Sequence, residues 1–341
     1  MRSSRPRTPS CGSRSAIWGI ALLLVTGCSG PGEARAPALH PADTAPSAPA
    51  CRDRRAQTLA CGAPKDRLGV RLHRADLWLG EDIRIGVTDL RATLVPSAAD
   101  APVRLDTPTH FGISIHQGRV TLDSATLQTL IQHYFAGGDR GMRDVQVAIA
   151  HDRLVITGQF QRRGWVDFHL TGSVQRADGR HLALIPQTLS VNGQPARAVM
   201  AASNIRLADV VSVRGPAIRI DGNRILLDVL ALLPPPTITA MLATATLDAR
   251  GLHLTFDDGH HEPQVEPART SRSYGLLYGG RLIIGPLHLA DPRIQLVAAD
   301  NDRLDLSLNH YRQQLDGQPM RLLPDVPHTT FLVPLAPWQS S

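Results

Sequence analysis

The sequence predicts a mainly β protein with short helices, an α+β body of curved antiparallel sheets. Two observations carry this expectation. Apolar and polar residues alternate over long stretches, the period of a strand with one buried and one wet face. Part of the chain is also written twice. Ile113–Asp123 lines up without a gap on Ile218–Asp228, and Ile149, Leu154, Ile156 and Thr157 find counterparts in Leu247, Leu252, Leu254 and Thr255. The same order of apolar positions, with one tight turn expected in each copy, predicts a strand-helix-strand-strand unit built twice.

Residues 1–27 read as an address. Arg2, Arg5, Arg7 and Arg14 precede an apolar run from Ala16 to Val25 that is too short to span a bilayer. The run ends in Val25-Thr26-Gly27-Cys28, which resembles the lipobox of bacterial lipoproteins. The resemblance implies cleavage before Cys28, a diacylglycerol on its thiol and membrane attachment through it. Ser29 behind the cysteine implies outer-membrane sorting, on the periplasmic face of a Gram-negative cell. An ordinary secretory signal is the alternative reading of the same run.

Residues 28–66 then hold the acylated cysteine, a flexible Pro/Ala tether and a small loop between Cys51 and Cys61. An isolated cysteine pair in an oxidising compartment most simply forms a disulfide, closing about ten residues for roughly 2–3 kcal/mol. A redox or metal pair is the alternative, but CxxC spacing is absent.

The folded body is expected over residues 67–266, with a C-terminal β/α subdomain and extended tail over 267–341. Val70, Leu72, Leu77 and Leu79 alternate, followed by Ile83, Ile85 and Val87, then Leu90, Ala92 and Leu94 as far as Pro96. Asp123 or Ser124 caps a helix whose apolar face is Leu127, Leu130, Ile131, Tyr134 and Phe135, closed by Gly137-Gly138. Strands are predicted at Val145–Ile149, Leu154–Gly158, Val166–Leu170 and Leu182–Ile185, with a hairpin signal at Asp178-Gly179. Leu226–Leu233 is a more apolar run, read as a short buried helix or a lipid-meeting surface, ended by Pro234-Pro235-Pro236. Strands follow at Leu282–Leu289 and Ile294–Ala298. A helix from Asp302 carries Leu304, Leu308, Tyr311 and Leu315 to Gly317, and residues 319–338 form an extended strap.

Chemistry-bearing patterns are few. The chain has 36 Lys and Arg against 30 Asp and Glu, and four of those arginines leave with the address. The mature protein is nearly neutral, its charges interspersed and its aromatic content 4%, so nucleic acid is not an expected partner. No GxSxG elbow, P-loop, HExxH or strand-coupled GxGxxG occurs, and neither catalysis nor a cofactor is expected. Asp257-Asp258-Gly259-His260-His261-Glu262 holds metal-ligand types without ligand spacing and reads as a polar loop, so no metal is expected. Arg119 and Arg224 occupy matching places in the two copies, as surface partners of Asp residues or contacts for lipid phosphate.

The segment from about Phe111 to Met200, with LDSATLQTLIQHY, DVQVAIAHDRLVITGQF and DGRHLALIPQTLSVNGQPA in sequence, resembles bacterial members of the tubular lipid-binding (TULIP-like) group. That resemblance implies a curved sheet wrapped around a helix and an apolar cavity for acyl chains. The stretches LLPPPTI and YGGRLIIGPL resemble exported bacterial proteins, which adds no activity. The expected function is therefore non-catalytic: binding or shuttling a phospholipid-like ligand in an apolar groove. Leu127, Leu130, Ile131, Tyr134, Leu227, Leu230 and Leu233 are its expected lining. The alternative is an envelope scaffold or assembly factor that binds other envelope proteins through strand edges.

Overall fold

The computed structural model describes residues 67–135, 142–161, 164–196, 217–260, 265–299, 303–323 and 330–338. Cys28, Cys51 and Cys61, the address and the tether lie outside them, as do Gly137, Gly138, His261, Glu262 and Asp302 and the side chain of Tyr134. The described chain is mainly β. In order, it forms β1 (Leu68–Leu79), β2 (Ile83–Pro96), β3 (Val103–Arg104), β4 (Phe111–Leu122), α1 (Ser124–Phe135), β5 (Met142–Ala150), β6 (Arg153–Gln161), β7 (Trp165–Arg176), β8 (Leu182–Val191) and β9 (Gln194–Pro195). There follow β10 (Ile218–Asp221), β11 (Arg224–Leu227), β12 (Thr237–Ala240), β13 (Leu242–Asp248), β14 (Gly251–Asp257), β15 (Tyr274–Tyr278), β16 (Arg281–Ile284) and β17 (Leu287–Ala290). The chain ends with β18 (Arg293–Ala298), β19 (Leu304–Ser307), α2 (Tyr311–Leu315), β20 (Arg321–Leu323) and β21 (Thr330–Leu335).

Three sheets result. The largest runs β13-β14-β4-β2-β1-β15-β18-β21-β20, with β12 added to β4 and β19 to β1. A second runs β10-β11-β8-β7-β6-β5 with β9 on β8, and a third is β17-β16-β3. Pairing is predominantly antiparallel, as expected, but β19, β12, β21 and β3 join their neighbours in parallel. Each of these strands reaches its partner from a distant part of the chain. After residue 267, β15, β18, β19, β20 and β21 enter the same sheet as β1, so the C-terminal piece completes the body and shares its core. Residues 319–338 are not a strap laid over it: β21 is a strand of that sheet.

A crease runs across the large sheet. On β1 the inward residues are Leu68, Val70 and Leu72, then Ala75, Leu77 and Leu79. On β2 they are Ile83, Ile85 and Val87, then Leu90, Ala92 and Leu94; on β4, Phe111, Ile113 and Ile115, then Val120 and Leu122. Each strand therefore changes phase, at 73–74, 88–89 and 116–117. Two β-bulges make the change between β2 and β4. Val87 pairs with Val120 and Asp89 with Arg119, leaving Thr88 extra; Arg91 pairs with Gln117 and Ala92 with Ile115, leaving His116 extra. Bulges bend a strand and add twist. Neighbours change on the same line: β1 passes from β15 to β19, and β4 from β12 to β14.

The crease corrects the reading of the duplicated segment. The first copy's expected turn at His116-Gln117-Gly118 is the bulge, inside one continuous strand, whereas the second copy is the β10–β11 hairpin. A shift of apolar phase looks the same in sequence whether a turn or a bulge makes it. The residues aligned further on lie in hairpins of similar local form. β5–β6 and β13–β14 are hairpins with two-residue turns, and Ile149 pairs with Leu154 as Leu247 pairs with Leu252.

Two helix predictions also change. Leu304–Ser307 is a strand, because the Ala75–Trp78 half of β1 needs a partner after the crease; only Tyr311–Leu315 is helical. Leu226–Leu233 is split into β11 and a single 3-10 turn at Leu230–Leu232. The buried Asp228, just before that turn, accepts the Ala231 N–H and the Arg180 guanidinium. By contrast α1 begins as expected, with Asp123 accepting the Thr126 N–H at 2.8 Å.

The β7–β8 hairpin gives a pH-dependent test. Asp178 accepts the N–H groups of Arg180 and His181, both at 2.7 Å, and these bonds lower its carboxyl pKa from 3.8 to about 2. A depressed carboxyl adds stability that is fully present above pH 3.8 and is lost as pH falls through about 2. Asp178→Asn keeps the acceptor oxygen but not the charge. Urea unfolding between pH 5 and about 2 should show a steeper loss of stability in the wild type than in this variant.

Candidate apolar binding site

The inner face of the large sheet is divided by the crease, and its two halves are covered differently. The half carrying Ile83–Val87 and Val120–Leu122 packs under α1 and the Val229–Leu233 turn. A void of about 30 Å³ lies there among the described residues, on the scale of one or two waters. The other half is covered by the small sheet, α2 and the segment leading into β20. Here the cover stands off the floor and encloses a cavity of about 250 Å³.

The cavity floor is Val70, Leu72, Leu90, Ala92, Leu94 and Ile113, extended by Leu277, Ile294, Leu296 and Val333. Its roof is Leu105, Ile284, Leu287, Leu289, Tyr311, Leu315 and Met320. Every lining side chain except Tyr311, whose hydroxyl donates to Asp106, is apolar, so the lining offers little to hold water by hydrogen bonds. Leu287 and Met320 also reach solvent, at 45% and 50% exposure, so the cavity opens between β17 and the approach to β20.

The roof is built by a quick exit from the large sheet. Gly279 and Gly280 both have positive φ, and a Cβ on Gly280 would lie 2.7 Å from the Arg67 backbone. Glycine alone lets the chain leave β15 there and start β16 over the core. The roof is then tied down at Asp106. That carboxylate accepts the Tyr311 hydroxyl, the Arg312 Nε at 2.7 Å and the Gly285 N–H at 3.2 Å. The Arg312 hydrogen bond, reinforced by Tyr311, holds Asp106 below the usual carboxylate range against the opposing effect of burial. Burial and the Asp106 contact push the Tyr311 phenol up to about 12. Asp106 thus joins the loop after β3, the β16–β17 turn and α2 in one latch.

The lining expected from sequence lies elsewhere. Leu127, Leu130 and Ile131 are buried on the core face of α1, and Leu227, Leu230 and Leu233 are partly buried against the same core. Leu230 and Leu233 border the 30 Å³ void, and none of these six borders the cavity. The cavity's own residues carried a legible strand signal, Val70, Leu72, Leu90, Ala92 and Leu94 above all. Whether such residues meet a neighbour or a space depends on the roof, most of which is made more than 180 residues later.

Arg224 pairs with Asp221 at 2.5 Å, and exposed Arg119 stands across from Asp89 in the β2–β4 register. No family model matches the chain, and neither a curated protein nor a solved structure is significantly similar to it.

The latch sets the next expectation. In Asp106→Asn, amide hydrogen exchange of β16 and β17 should speed up on the order of tenfold, while β2 and β4 keep their protection. Exchange mass spectrometry that finds all four strands unchanged would contradict a latch at Asp106.

Proposed function

We propose that this protein is an outer-membrane lipoprotein, anchored through Cys28 on the periplasmic face, that binds or shuttles a phospholipid-like amphiphile by one acyl chain. The 250 Å³ apolar cavity is the observation that supports this reading most directly. At about 24 cal/mol per Å³, an empty void of 250 Å³ would cost on the order of 6 kcal/mol. That is comparable to the roughly 5–15 kcal/mol by which a domain is stable, so a guest that fills it is strongly favoured. Each methylene it buries contributes about 0.8 kcal/mol.

Size selects one chain over two. Pockets for drug-sized ligands hold roughly 300–1,000 Å³, and 250 Å³ falls just below that range. A second tail and the head group would stay outside, at the Leu287–Met320 mouth. The lipobox-like Val25-Thr26-Gly27-Cys28 and the Pro/Ala tether fit this role, since they would hold the body within reach of a membrane. The weak TULIP-like resemblance of residues 111–200 points the same way, although the cavity lies mainly outside that segment.

The test is native mass spectrometry on Cys28→Ala protein, which keeps every residue of the body and cannot be acylated. One discrete acyl species should accompany the protein, and the double variant Ala92→Leu/Val333→Leu should lose it. Freed of ligand, that variant should melt above the ligand-free parent by about 2–4 °C for each kcal/mol of filled space. A clean ligand-free mass that takes up no added lipid would sink the reading. One stoichiometric protein partner in its place would favour the assembly-factor alternative.

A further inference from the structure

The outer face of the large sheet carries a second constructed place, across β4 from the cavity. His116, the extra residue of the β4 bulge, accepts or donates at both ring nitrogens: Nε2 lies 2.8 Å from the Thr93 hydroxyl and Nδ1 lies 2.7 Å from the Asp258 carboxylate. An ionised carboxylate can only accept, so it fixes the proton on Nδ1 and leaves Nε2 to accept the Thr93 hydroxyl proton. Hydrogen bonds from His116 and the His260 N–H hold Asp258 ionised below the usual carboxylate range against the upward push of burial. From this connectivity, hydroxyl to imidazole to carboxylate, we infer that Thr93, His116 and Asp258 form a nucleophilic site for hydrolysis of small acyl esters.

Two features beyond the hydrogen bonds support a site. His116 is aimed by a bulge, at the point where β4 exchanges β12 for β14, so the backbone departs from the regular ladder just where this ring must be placed. Thr93, 4% exposed, is also among the residues lining a cleft of about 440 Å³. A row of hydroxyls crosses that lining, since Thr93 pairs with Ser114 and Ser114 with Thr239. On the other side Thr93 pairs with Gly69, where a Cβ would collide with the Tyr278 ring. Arg67 lines the cleft as well.

The step balances with water alone. The Thr93 oxygen adds to the ester carbonyl carbon while its proton passes to His116 Nε2. The tetrahedral oxyanion is met by the Ser114 hydroxyl and the Arg67 charge. It collapses, and the alcohol leaves with the proton from His116. Water, deprotonated by His116, then releases the acid and restores Thr93. Thr93 and His116 are catalytic residues in this scheme, and Asp258 positions the ring.

The experiment uses purified full-length protein with p-nitrophenyl acetate as substrate and a fluorophosphonate as covalent probe. Wild type should turn over the ester above the buffer rate and carry the phosphonate on Thr93, located by peptide mass spectrometry. Thr93→Val should lose both, Thr93→Ser should retain both, and His116→Gln should fall at least 100-fold. Asp258→Asn should lower kcat at nearly unchanged KM, with partial recovery in Asp258→Glu. Wild-type turnover equal to that of Thr93→Val, with no label on Thr93, would overturn the assignment and leave the three side chains as a tie between strands. Label on another residue would overturn it too.

Discussion

The crease in the large sheet is the constraint on which the rest of this structure depends. A strand's side chains alternate, so a strand that changes phase must bend or break its ladder. Here β1, β2 and β4 change phase side by side, at residues 73–74, 88–89 and 116–117, and remain one sheet. The two halves then face different directions and take different partners, β15 and β12 on one side, β19 and β14 on the other. The new neighbours bring their own costs. Asp305 of β19 stands directly beside Asp76 of β1, and the pair is held by Arg303 on Asp76 and the Trp78 indole N–H on Asp305. Burial above all keeps the Asp305 carboxyl raised.

The same bend explains both candidate sites. On the inside, one half of the sheet is sealed by α1 and the 3-10 turn, which pack closely. The other half is roofed by a hairpin, a five-residue helix and the segment leading into β20, which span the floor without filling the space beneath. On the outside, His116, freed from regular pairing, lines the cleft above Thr93. An apolar space and a polar constellation therefore share β2 and β4, and each exists because those strands are not straight.

Much of the fold was legible in the sequence and the sites much less so. The alternations of β1, β2, β5 and β14 are plain in their apolar residues, and Asp123 announces the start of α1. The bulge at His116 was not legible, because Ile113-Ile115 followed by Val120-Leu122 shows a phase change without its cause. Leu304–Leu315 reads as a helix by spacing, yet the unfilled edge of β1 takes Leu304–Ser307 as a strand. The cavity lining is made of the same residue types as the core, so composition cannot separate a packed leucine from one that faces a space. His116 and Asp258 are 142 residues apart, and only the pairing of β4 with β14 brings them together.

The claim on which the account rests most is that the roofed half of the sheet holds a guest chain. It is tested most directly by a crystal structure of the protein grown with 12-bromododecanoic acid, in which anomalous scattering locates the bromine. A bromine peak is expected in the space bounded by Leu72, Ala92, Leu296 and Val333, with the carboxylate at the Leu287–Met320 mouth. A structure in which those side chains close over the space, with no bromine inside at saturating acid, would contradict it.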